Sequence, residues 1–210
     1  MTEYTFSSDA DFGDSTSQVR LYTIEADVTN GVTPDSLSLL TEQCVASLSG
    51  LLTREEAGTR PAVRATRQAY APGCREAAEL SPSAETLTLQ AVEGGNLITE
   101  NAITDVVNLA SLRSGYSIVC LDADKVSGHA LRFSHDASKG IPAIYDTTDL
   151  PGWPTSVAPR AAVSLSTTRI LIVIFCFGEE EPPAQTVDYI ADLLSEYVQA
   201  SNLSTNIFRL

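Results

Sequence analysis

Between positions 96 and 133 the chain gathers side chains able to hold or transform a small polar ligand: Asn101, Asp105, Asn108, Ser111, Arg113 and Ser114, followed by Asp122, Asp124 and Arg132. Asp105, Asn108 and Ser111 recur every three residues, which places them on one side of a helix. Polar groups set near a helix end and two strand ends commonly line a concave site. The same residues also suit a purely internal role, because buried polar groups need hydrogen-bond partners wherever they stand. Arg113 and Arg132 offer the paired N–H donors that grip a carboxylate or phosphate, or that form ion pairs with Asp105, Asp122 or Asp124. Asp122 and Asp124 read either as two working carboxylates or as turn residues accepting from backbone N–H groups. Their spacing invites magnesium, yet nothing nearby completes an oxygen cage, so no metal is expected.

Other reactive side chains are sparse. His129 and His135 are the only histidines, and no nucleophile-elbow pattern accompanies them. Cys44, Cys74, Cys120 and Cys176 lie far apart without CxxC spacing, so the expectation is reduced thiols rather than a zinc site or a disulfide framework. No cofactor is expected. The formal net charge is −14, which on average repels nucleic acid. Against that average, Arg60, Arg64 and Arg67 follow helical spacing and make a basic strip able to meet tRNA phosphates, or a solvated face balanced by Glu55, Glu56, Glu76 and Glu79. DNA is not an expected partner.

The elements that must position these groups follow from pattern. With 210 residues and 43% apolar content, the chain supports one good core. Residues 1–16 read as a frayed segment and 17–210 as a single domain. The N-terminus carries no apolar export signal, and the longest apolar run, Ile170–Phe177, is far short of the roughly 20 residues a membrane span needs; a cytoplasmic protein without a membrane partner is expected. Gln18–Asp27 alternates as a strand. Thr33 and Pro34 open a helix whose stripe is Leu37, Leu40, Cys44, Leu48 and Leu51. A second helix spans about Thr59 to Tyr70 and stops at Pro72-Gly73. Ser81-Pro82 starts a third, closed by Gly94-Gly95, and Thr99 caps a fourth that ends at Gly115. The period then changes to strands at Tyr116–Leu121, Gly128–Phe133, Ile141–Tyr145 and Arg169–Phe177, with Thr147–Pro159 as loop. Pro182-Pro183 opens a last helix with Val187, Ile190, Leu194, Tyr197 and Val198 inward. Early helices, clustered strands and a closing helix predict an α+β fold.

The stretch from 104 to 132 resembles the B3/B4 (editing-module) domain of the phenylalanyl-tRNA synthetase β subunit. The resemblance is carried by Thr104-Asp105, Asn108, Gly115, Asp122, Asp124-Lys125-Val126, Gly128 and Arg132. The run Asn108-Leu109-Ala110-Ser111-Leu112-Arg113-Ser114-Gly115 is similar to one found in free-standing members. Pro82–Leu87 and Thr168–Ile174 extend the likeness, which covers about residues 18–200. It implies a mixed β-sheet flanked by helices and a trans-acting deacylase of mischarged aminoacyl-tRNA. It also implies a cleft for the amino-acyl group at Asn101, Asp105, Asn108, Ser111, Arg113, Ser114, Asp122, Asp124 and Arg132. The positions matching that module's histidine and glutamate are Val119 and Val173, neither of which can orient a water. Two other functions therefore stay open: binding a free amino acid or aminoacylated carrier without reaction, and acyl transfer from aminoacyl-tRNA.

Overall fold

The computed structural model describes residues 4–8, 18–70, 74–178 and 183–210. The expected stop at Pro72-Gly73 and the expected helix opener Pro182 lie outside the described residues, as do residues 1–3 and 9–16 of the segment read as frayed.

The organising element is the run RILIVIFCF, strand β8 (Arg169–Phe177). Successive side chains point to opposite faces. Ile170, Ile172, Ile174 and Cys176 enter one hydrophobic cluster, while Leu171, Val173, Phe175 and Phe177 enter another. A strand apolar on both faces must be sandwiched, and β8 is. It pairs antiparallel with β2 (Val19–Asp27) on one side and β3 (Ile118–Asp122) on the other. With β9 (Ser201–Arg209) outside β2, the four-stranded sheet runs β3-β8-β2-β9.

One face of this sheet carries helices α1 (Asp35–Leu51), α5 (Ala102–Ser114) and α6 (Ala184–Val198). Helix α4 (Ser83–Val92) packs against α1 and α5. The other face meets a second sheet of five strands, in the order β1 (Thr5–Ser8), β4 (Ala130–Asp136), β5 (Ile141–Tyr145), β6 (Gly152–Trp153) and β7 (Ser156–Val157). Phe133 from that sheet meets Phe175 and Phe177, each with ring centroids 6.3 Å away. Helix α2 (Pro61–Gln68) contacts β8, and the short α3 spans Arg75–Glu79. The molecule is thus a mixed α+β fold of two sheets with flanking helices. Among the described residues no helix is long and apolar enough to cross a membrane.

Several local expectations are corrected. Thr5–Ser8, inside the segment read as frayed, forms β1 and pairs parallel with β4. The residue closing α1 at its start is Pro34, with no side-chain cap. Thr33 instead donates its hydroxyl to Asp105 Oδ2. Leu51 is 74% exposed and leaves the α1 stripe, because the helix ends there, past the body it packs on. Asn101, not Thr99, caps α5, accepting from the Thr104 N–H. The Thr147–Pro159 loop holds the two-residue strands β6 and β7, and β9 had no counterpart in the sequence reading.

Candidate functional site

An apolar hollow is built where β3, an outer strand of the four-stranded sheet, turns its face toward the start of α4 and the flank of α5. Its cavity measures about 350 Å³, inside the range of small-molecule sites. Helix α4 supplies Ser83, Thr86 and Leu87, α5 supplies Thr104, Val107 and Asn108, and β3 supplies Ile118, Val119 and Cys120. The β6–β7 hairpin leans over from the second sheet to add Thr155, Ser156 and Val157, and the following chain adds Ala162 and Val163.

The hairpin and the chain that follows it are seated on β3 and α4. Leu121 forms a bridge with Ala162. The Ser83 N–H donates to the Pro154 carbonyl at 2.9 Å, tying α4 to the turn. Gly152 passes so close to β3 that a Cβ there would stand 3.5 Å from Leu121 and 3.7 Å from Val119. The cavity therefore rests on both sheets at once.

Its chemistry is neutral. Hydroxyls and one amide, from Ser83, Thr86, Thr104, Asn108, Thr155 and Ser156, ring an aliphatic floor. The Ser83 hydroxyl is buried without a hydrogen-bond partner among the described residues. No Asp, Glu, His, Lys or Arg lines the hollow among the described residues. Its single titratable side chain is Cys120, whose thiol is pushed far up by burial and further by the nearby Asp122 carboxylate; it stays protonated and weakly nucleophilic at neutral pH.

Of the nine residues expected to surround one cleft, Asn108 alone lines this cavity. The others are spent elsewhere. Asp105 is 1% exposed and accepts from Thr33, from the Thr99 N–H and from the Thr99 hydroxyl, pinning the entry of α5. Asn101 accepts from Asn30 as well as capping the helix. Ser111 donates to the Tyr116 carbonyl at 2.7 Å, and Ser114 donates to the Ala110 carbonyl. Arg113 lies over the Tyr189 ring, 4.3 Å from its centroid, and Arg132 lies at the same distance over Tyr145. Asp122 accepts from Thr167 and Asp124 pairs with Arg169, both next to a separate recess lined by Glu25, Asp27, Ala123, Arg169 and Asn202.

The basic strip dissolves in a similar way. Arg60 precedes α2 and donates to the Leu112 and Arg113 carbonyls at the end of α5 and to the Thr88 hydroxyl. Its guanidinium lies 3.1 Å from where a Cβ on Gly115 would stand, and Gly115 has φ +84°, so glycine is required there twice over. Arg67 pairs with Glu85 at 2.7 Å. Arg64 is left exposed.

Comparison with known proteins adds no assignment. No protein-family model matches this chain, and no curated protein matches it either. The site is therefore read from its own atoms. Val119, the position matched to the editing module's histidine, is on the cavity wall. Its cross-strand partner is Val173, the position matched to the glutamate. Sequence reasoning named Asn108 and Val119 but missed Ser83, Thr86, Val107, Thr155, Ser156 and Val163. These come from separate segments with ordinary residue types, and only the Pro82–Leu87 likeness signalled any of them.

Proposed function

We propose that this chain is an amino-acyl-binding protein whose cavity beside Asn108 holds a small uncharged group, such as the side chain of an amino acid or of an aminoacylated carrier, and does not transform it. One observation carries this reading: the lining joins hydrogen-bonding hydroxyls and an amide to an aliphatic floor, with no group that titrates near neutrality among the described residues. Burying a charge without a partner is costly, so a bound ammonium or carboxylate belongs at the mouth and the neutral side chain inside. A general base needs a pKa near the working pH, and Cys120 does not provide one. A B3/B4-like fold and a cytoplasmic setting belong to the same proposal. Isothermal titration with N-acetyl amino-acid amides bearing aliphatic or aromatic side chains tests it. Saturable binding at one site per chain is expected. Heats indistinguishable from dilution across the set would overturn it.

A hydrolytic reading is kept by one feature: Asn108, part of the stretch that carries the resemblance, lines the same cavity as Val119. In that reading the ligand is a mischarged aminoacyl-tRNA and water attacks the ester carbonyl. The ester C–O bond then breaks, releasing the amino acid and the free terminal hydroxyl of the tRNA. A neighbouring hydroxyl of the tRNA would take the proton from water while passing its own proton to the departing oxygen, with Asn108 orienting the carbonyl by hydrogen bonding. The discriminating measurement is ester loss from a panel of mischarged tRNAs. Turnover above buffer selects hydrolysis, and binding without turnover selects the first reading.

A further inference from the structure

The outer edge of β9 points to a partner, independently of the cavity. In the ladder between β2 and β9, Arg20 stands opposite Arg209, Leu21 opposite Phe208 and Tyr22 opposite Ile207. The Leu210 N–H donates to the Val19 carbonyl at 3.0 Å. Hydrogen-bonded and non-bonded pairs alternate along an antiparallel ladder, so Phe208 and Asn206 turn their backbone groups toward β2. Thr205, Ile207 and Arg209 turn theirs outward. Among the described residues no strand pairs with that side.

Exposed edges are normally blunted by charged side chains, above all lysine, by proline, by bulges, by inward charge or by short length. Here Ser201–Arg209 is nine residues long and contains no proline, no lysine and no carboxylate. Its register shift is confined to the stretch opposite Glu25 and Asp27, which leaves Ser204–Arg209 regular. Ile207 is 53% exposed, one of few large apolar side chains so placed.

We infer that β9 is the contact strand of a homodimer, pairing antiparallel with β9 of a second copy about a two-fold axis through Ile207. The composition of the strip suits a second copy: laid antiparallel on itself it sets Ile207 against Ile207 and brings no carboxylate against another. In a chain of net charge −14, two copies approach with least repulsion where both lack carboxylates, and β9 is such a strip. Antiparallel pairing about Ile207 sets each Arg209 opposite Thr205 of the other copy. The two guanidinium-bearing residues then lie about 14 Å apart along the ladder, beyond a Debye length at physiological salt. Parallel pairing in register would place them side by side. The two exposed Ile207 side chains meet across the axis as a cross-strand apolar pair, and a two-fold contact of this kind closes on itself. The result is one continuous eight-stranded sheet.

The experiment combines sedimentation with cross-linking. Wild-type chain is expected to sediment as a dimer at tens of micromolar, and Ile207→Lys to raise the dimer dissociation constant about tenfold or more with unchanged circular dichroism. In a Cys44→Ser, Cys74→Ser background, Ile207→Cys is expected to form a disulfide-linked dimer on mild oxidation. Hydrogen-bonded antiparallel partners have Cα atoms about 5.5 Å apart, within disulfide range. Thr205→Cys places its two thiols about 14 Å apart by Cα and is expected to remain unlinked. A monomer at every concentration, or equal cross-linking through both positions, would overturn the inference. Neither result bears on ligand binding at Asn108.

Discussion

Val119 and Val173 stand directly opposite one another on β3 and β8, and only the first of them reaches the cavity. Val173 is fully buried behind it, in the cluster between the two sheets. The wall beside the proposed ligand is thus aliphatic to a depth of two side chains. Neither valine can exchange a proton or orient a water, and with no carboxylate or imidazole on the lining among the described residues this favours binding over hydrolysis.

Replacing Val119 by Phe fills the hollow from its floor. We expect loss of ligand-induced thermal stabilisation, at an overpacking cost of about 1–3 kcal/mol seen as a lower midpoint in urea. Retained ligand stabilisation in this variant would place the ligand elsewhere.

Asn108 is half-buried on the cavity flank. Asn108→Ala is expected to weaken binding of an amide-bearing ligand about tenfold, the worth of roughly one hydrogen bond, while changing unfolding free energy little. Titration calorimetry with paired denaturation curves separates the two effects.

The Ser83 hydroxyl, buried without a partner among the described residues, costs stability in the unliganded protein. Ser83→Ala is expected to stabilise the apo chain by about 1 kcal/mol and to reduce the gain on adding ligand. Calorimetric melting with and without ligand reads both quantities.

Asp105 and Arg60 hold opposite ends of α5. Asp105→Ala strips partners from Thr33 and Thr99 and is expected to cost roughly 2–4 kcal/mol. Arg60→Ala leaves the Leu112 and Arg113 carbonyls short of a donor and is expected to cost about 1–3 kcal/mol. Arg64→Ala, on the exposed side of α2, is expected to be neutral within about 0.5 kcal/mol. Urea denaturation of the three variants checks the ranking.

What the sequence displayed and what it concealed divide along physical lines. Arg169–Phe177 was legible to the residue and the strand near Ile141–Tyr145 in outline, because apolar runs bounded by turn residues leave little choice of structure. Strand β9 was not: SNLSTNIFR is polar and sits on an edge, so it carries no core signal. The polar set on α5 was legible as polar but not as to purpose. Helix termini leave N–H and C=O groups wanting partners, and Asn101, Asp105, Ser111 and Ser114 are consumed in satisfying such local needs. The cavity itself draws on α4, α5, β3 and a hairpin, so no single stretch of chain announces it.

Acid stability offers a further check. Burial pushes the Asp146 carboxyl up, but N–H donors from Ser127, Asp149 and Thr148 together with the Arg160 guanidinium outweigh it and hold it well below the usual range. Asp136 is lowered in a similar contest, burial opposed by Ser138, Trp153 and Lys139. A depressed carboxyl lends stability above its unfolded value near 3.9, and that stability is lost as pH falls through the folded value. Unfolding free energy is therefore expected to decline below about pH 4. Asp146→Asn should start lower at neutral pH and follow a flatter course on acidification, as measured by urea midpoints at successive pH values.

The most direct test of the central claim is a heteronuclear NMR titration with a neutral N-acetyl amino-acid amide. The account predicts saturable shifts concentrated at Asn108, Val119, Val157 and Ser83, with β9 and the Asp27–Arg169 recess unmoved. Shifts centred on that recess, or none at saturating ligand, would contradict it.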